Sequence, residues 1–183
     1  WTLSGGSATS ATYTVHHAGG TTGVTVNQTQ NVKQWNYLGD FLIDPAAGHK
    51  VVLTDNASGF VLADAIRFVR DAGLELGEEV VVDNTTAGTS WVVTWPTTTV
   101  VSGYQNSNFQ YNTFGTGVDS FTWPAQITAT GAYKVYAKWF IGSGGAHELY
   151  KLAGKAKAAL HWLEGRRADR TRRPRRIAAQ KQD

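Results

Sequence analysis

The sequence predicts an all-β fold, a sandwich of the jelly-roll type, and three observations predict it. Thr, Gly, Val and aromatic residues are abundant, while helix formers are scarce before position 148. Apolar and polar residues alternate over short runs. In Tyr133–Phe140, for example, Tyr133, Val135, Ala137 and Trp139 share one face, and Lys134, Tyr136 and Lys138 the other. Turn clusters recur at short intervals, dividing the chain into about ten or eleven short strands.

Taken in order, residues 1–10 read as the end of a strand followed by a loop. Ala11–His17 alternates Tyr13 and Val15 with Thr12 and Thr14, and Ala18-Gly19-Gly20 makes a turn. Residues 22–28 alternate again through Val24 and Val26, and residues 27–33 form a polar connection. Residues 34–43 read as a strand offering Trp35, Tyr37, Phe41 and Ile43 to a core, with Gly39 permitting a bulge. Asp44-Pro45 stops it. Lys50–Thr54 starts again with Val51 and Leu53 on one face, and residues 55–59 turn. Residues 60–69 carry too many apolar positions for a one-faced strand and are expected at the centre of a sheet.

Residues 70–77 read as a connector, 78–83 as a strand and 84–90 as a loop. Residues 91–95 read as a strand closed by Pro96, 97–108 as a polar stretch, and 109–114 and 118–123 as strands, the second ended by Pro124. After Gly145 the pattern changes. Leu149, Leu152, Ala153, Ala156, Leu160 and Leu163 fall at helical spacing, so 148–164 is expected to be one amphipathic helix, followed by a disordered basic tail.

With 183 residues, 42% of them hydrophobic, the chain can bury one core and carry a tail. Cysteine is absent, which excludes disulfides, thiolate catalysis and Cys-ligated metals. No run of about 18 apolar residues is present, so no membrane-spanning helix is expected. The chain begins at Trp1 with no signal-peptide pattern and reads as a piece of something longer. Its net charge of +3 is segregated. Residues 1–146 hold 6 Lys/Arg against 10 Asp/Glu, and residues 147–183 hold 11 against 4. The body is therefore acidic, which argues against nucleic-acid binding.

The segment YTVHHAGGTTGVTVNQTQNVKQWNYLGDF, followed by SGFVLADAIRFV, resembles the golvesin-type domain, a carbohydrate-binding-like module also found in xanthan lyases. The later stretches EVVVDNTTAGTSWVVTWPTTTVVSGYQNSNFQYN and TGAYKVYAKWF resemble the opening half of the same module, although here they follow its closing half. The order implies a tandem array sampled out of phase, with residues 1–70 ending one repeat and 78–141 beginning the next. WTLSGG at position 1 echoes WFIGSGG at position 139, about one domain length later. Two arrangements follow. The halves close on each other as a circularly permuted sandwich, or they are exchanged between chains as a domain-swapped oligomer. Residues 146–183 depart from the family pattern; a frame slip, a fusion junction, vector-derived sequence or an unrelated extension would each produce them.

The resemblance implies a non-catalytic, extracellular accessory module that binds polysaccharide or a cell-surface glycan, set among neighbouring repeats of a parent protein. The alternatives are a structural spacer without ligand and, more distantly, part of a polysaccharide-degrading enzyme. No cofactor, metal or catalytic set is expected. His16 and His17 are adjacent on a strand, point to opposite faces and cannot chelate one metal together. Asp64 sits in the most apolar segment and needs a bonding partner there, a ligand or Ca²⁺ being the other reading. The basic tail could alternatively meet an anionic surface. The better lead is the surplus of aromatic residues, Trp91 among them. Sugars stack their C–H faces on exposed rings while Asn and Gln take the hydroxyls, so Trp95, Tyr104, Asn106, Asn108 and Tyr111 are the expected ligand-binding residues.

Overall fold

The computed structural model describes residues 6–71, 77–99 and 102–139. The expected helix at 148–164 and the basic tail lie outside the described residues. Among the described residues twelve strands follow in chain order. The first six are β1 (Ala11–His17), β2 (Gly20–Val26), β3 (Trp35–Ile43), β4 (Lys50–Thr54), β5 (Val61–Ala63) and β6 (Ala65–Arg70). The others are β7 (Glu79–Asp83), β8 (Ser90–Val92), β9 (Thr97–Thr98), β10 (Phe109–Asn112), β11 (Ser120–Pro124) and β12 (Gly131–Lys138). All pairings between them are antiparallel. They build a five-stranded sheet in the order β2-β1-β4-β11-β8, a four-stranded sheet β3-β12-β6-β7 and a three-stranded sheet β5-β10-β9. The fold is all-β, as expected, and consistent with a sandwich.

Alternation becomes burial where the strands are regular. In β1, Ala11, Tyr13 and Val15 are buried and the residues between them are not; β4, β11 and β12 repeat the pattern. These inward residues bury Tyr13, Leu53, Phe121 and Trp123 from the five-stranded sheet, and Ile66, Phe68, Tyr133 and Val135 from the four-stranded one. Each such side chain contributes roughly 1.5–3 kcal/mol by leaving water. Tyr13 stacks on Trp139, just past β12, at 6.2 Å, and His17 packs against Phe41 at 5.1 Å, so the inner residues of the two larger sheets meet.

Both halves of the chain enter every sheet. In the largest, β4 of the first half pairs with β11 of the second over five residues, from Lys50↔Pro124 to Thr54↔Ser120. In the four-stranded sheet, β12 lies between β3 and β6. The halves join at an antiparallel pair, β6 with β7, running from Ala65↔Asp83 to Val69↔Glu79.

Two expectations are corrected. Residues 60–69 do not form one central strand. The chain breaks at Asp64, so that β5 joins the three-stranded sheet and β6 the four-stranded one. A fully buried carboxylate cannot sit passively in a ladder; Asp64 occupies the corner and accepts the Gln105 N–H at 2.8 Å. In β3, Phe41 and Ile43 are buried as expected, but Tyr37 is 52% exposed. The register against β12 shifts between Val135 and Tyr136, opposite Gly39 and Tyr37, so Leu38 is an extra residue. One extra residue reverses the facing of everything beyond it. The bulge at Gly39 was legible in the sequence; its effect on Tyr37 was not.

Candidate functional site

The site grows from the turn after β7. Asp83 is buried, and its Oδ2 accepts both the backbone N–H (3.0 Å) and the hydroxyl of Thr85. Thr86 and Thr89 close the next two turns through their backbone N–H groups, and the Thr89 hydroxyl donates to the carbonyls of Asn84 and Thr86. Asp and Thr side chains bonding their own backbone hold such a loop without help from a core. Gly88 takes a left-handed φ of 92°, open to glycine at no steric cost. The loop delivers the chain into β8, at the free edge of the five-stranded sheet.

Trp91 lies on β8 directly opposite Phe121 of β11. The two rings stack 5.8 Å apart and 11° from parallel. Phe121 is fully buried, so it backs one face of the indole, while Trp91 itself is 49% exposed. Beyond Val92 the strand stops: Val93 has a φ of 64°, a conformation that costs a β-branched residue energy and ends the ladder before Trp95. The expected strand over residues 91–95 is therefore shorter and begins at Ser90.

Beside Trp91 runs an open groove of about 320 Å³, lined by the 84–89 loop, Trp91, Thr97, Asn108 and Gln110. Its side-chain amides form a chain. Gln110 Nε2 donates to the Trp95 carbonyl at 2.9 Å. Asn84 Nδ2 donates to Asn108 Oδ1 at 2.8 Å and more weakly to Gln110 Oε1 at 3.5 Å. Asn108 Nδ2 passes on to the Ser107 hydroxyl at 3.2 Å. Asn84 is 2% exposed, and its Oδ1 has no hydrogen-bond partner among the described residues. A buried amide oxygen left in this state carries an uncompensated cost of leaving water.

Of the five residues expected to bind ligand, Asn108 lines this groove. Tyr104 is half-buried with its ring 6.1 Å from Phe109, and Asn106 is exposed at a left-handed φ of 51°. Trp95 is 3% exposed, edge-on to Phe121, and Tyr111 is 7% exposed between Phe60 and Phe109. Both rings pack in the interior. Sequence reasoning passed over Asn84, Thr97 and Gln110, and it counted Trp91 among the surplus aromatics without choosing it. The structure shows what the sequence did not: all three positions of Ser90-Trp91-Val92 are exposed.

The other polar candidates lie outside the lining of this groove. His17 Nδ1 accepts the Gly19 N–H, and its Nε2 pairs with the Thr22 hydroxyl at 2.9 Å. Burial, with the positive charge of Lys50 and the neighbouring histidines, holds His16 below the usual imidazole range. Among the described residues no group of three or more His, Asp or Glu is placed to hold a metal. Asp64 is pushed up to about 7, chiefly by burial, against the opposing Gln105 N–H and Lys138 charge. Arg67 lies between the rings of Trp35 (4.9 Å) and Tyr136 (4.6 Å), with Glu79 3.7 Å away. Among the described residues no helix is long and apolar enough to cross a membrane.

The sequence matches the family model of the Golvesin C-terminal domain over residues 1–70 and 80–157. The second match runs past Gly145, where the motifs quoted above end, so part of the region read as foreign to the family lies within it. No curated protein and no solved structure matches the chain.

Proposed function

We propose, because this chain belongs to the Golvesin C-terminal domain family, that it serves a larger extracellular protein as a non-catalytic accessory module and binds polysaccharide in the groove beside Trp91. The observation that carries this reading is the half-exposed indole, backed by Phe121, over a groove lined by amides and hydroxyls. A sugar ring needs an apolar platform for its C–H face and amide or hydroxyl partners around its rim, and both are present. Tyr104 and Asn106, which precede Asn108 in the chain, are the further ligand contacts in this reading.

In this reading residues 1–70 are the closing half of one repeat and 78–141 the opening half of the next, folded together as a circularly permuted jelly roll. Two separate family matches and the interleaving of both halves in every sheet support it. A glycan array probed with the chain and with Trp91→Ala tests the function. Binding to one or more glycans that falls at least tenfold in Trp91→Ala supports it. An array without any binding favours a spacer role, and binding indifferent to Trp91 and Tyr104 puts the contact elsewhere.

A further inference from the structure

We propose that the Trp91 groove selects uncharged, hydroxyl-rich sugars and rejects uronates and other anionic sugars; this rests on the carbohydrate-binding reading above and narrows it to a ligand class. Among the described residues that line the groove, none is Lys, Arg or His, and all the side chains are neutral. The acidic side chain next to the lining, Asp83, lies buried beneath the loop. A carboxylate entering here would lose water and find no cation, while a neutral ring would lose only hydroxyl hydration that amides and threonines replace.

Asn84 sharpens the selection. Its Nδ2 is committed to Asn108 and Gln110, which leaves Oδ1 as the free end of the amide. Amide oxygens only accept, so this oxygen, closed off from solvent, adds no donor to the groove and gives an entering carboxylate nothing to bind. A groove of about 320 Å³ is at the small end of ligand sites, with room for roughly one or two sugar rings against Trp91.

The test is isothermal titration of the full chain with neutral gluco-, manno- and xylo-oligosaccharides, and with galacturonate and mannuronate oligosaccharides of equal length. The expected result is one neutral series bound at least about tenfold more tightly than either uronate series. Trp91→Ala, at an exposed position, should keep the far-ultraviolet circular dichroism of the parent and lose that binding by about tenfold or more. Thr97→Lys, which places a cation on the exposed rim, should narrow or reverse the preference. Uronates bound as tightly as neutral sugars would overturn the inference and leave carbohydrate binding standing. Neutral binding unchanged in Trp91→Ala would overturn it by placing the site elsewhere. No binding by either class would remove the carbohydrate-binding reading itself, and the inference with it.

Discussion

The backbone of Gly115 presses on the side chain of Asp55: a Cβ added to Gly115 would lie 2.6 Å from Asp55 Cγ and closer still to Oδ2. The contact joins the two halves of the chain. The Gly115 N–H donates to the Asp55 carbonyl, and the Gly117 N–H to Asp55 Oδ1, each at 2.7 Å. Neither the carboxylate, bonded and 6% exposed, nor the backbone can easily give way. Gly115→Ala should therefore destabilise the fold by about 1–3 kcal/mol, the usual cost of overpacking. Urea unfolding should show a lower midpoint with an unchanged slope. An unchanged midpoint would mean that the halves are not locked at this point.

A second prediction concerns Asp64. Unfolded, its carboxyl titrates near its ordinary value of 3.8; folded, it titrates at about 7. Between those limits the folded chain holds a proton that the unfolded chain has released. Stability must then fall as pH rises from about 4 to about 7 and level off above, by on the order of 4 kcal/mol from this group. Asp64→Asn removes the titration while keeping an oxygen for the Gln105 N–H. The stability difference between parent and variant should favour the variant increasingly through that window. A difference flat in pH would reject the assignment.

Gln28 supplies a third. It is fully buried although it lies in a stretch whose composition reads as a polar connection. Its Nε2 donates to the Tyr13 hydroxyl and the Leu62 carbonyl, and its Oε1 accepts the Leu62 N–H, all at 3.0 Å. One amide thus satisfies both backbone groups of Leu62 and the hydroxyl of a core tyrosine. Gln28→Leu keeps the volume and leaves those groups without their partner, at a cost of about 2–4 kcal/mol. Thermal unfolding should show the loss; a variant as stable as the parent would mean that Leu62 finds other partners.

These residues mark the limit of what the sequence reveals. Strands with regular alternation, such as β1, β4 and β12, were legible with their buried faces, because period-two patterning reports facing directly. Tyr37 was misplaced because periodicity cannot register an inserted residue. Gln28 was missed because its partner Leu62 is 34 positions away. The break at Asp64 was hidden because a segment buried in two successive sheets reads as one apolar run. At the site, Asn108 was picked out by its loop composition, and it lies in the lining of the groove. Trp95 and Tyr111 are buried against Phe121 and Phe60, a three-dimensional fact without local signature.

The seam between the halves carries the last prediction. β6 ends at Arg70 and β7 begins at Glu79, and the two strands are direct antiparallel neighbours. The Arg70 N–H donates to the Glu78 carbonyl at 2.8 Å. A Cβ added to Gly77 would stand 3.0 Å from the Arg70 carbonyl carbon and closer still to its oxygen. The pairing of β6 with β7 therefore depends on a glycine at this position. The circularly permuted reading expects sedimentation over a wide concentration range to give a compact monomer, each half finding its complement in the same chain. Gly77→Val should strain the seam and shift the population towards dimers that exchange halves, the outcome expected when a tight hinge cannot close. Concentration-dependent growth in the parent chain would instead mean that the halves are exchanged from the start.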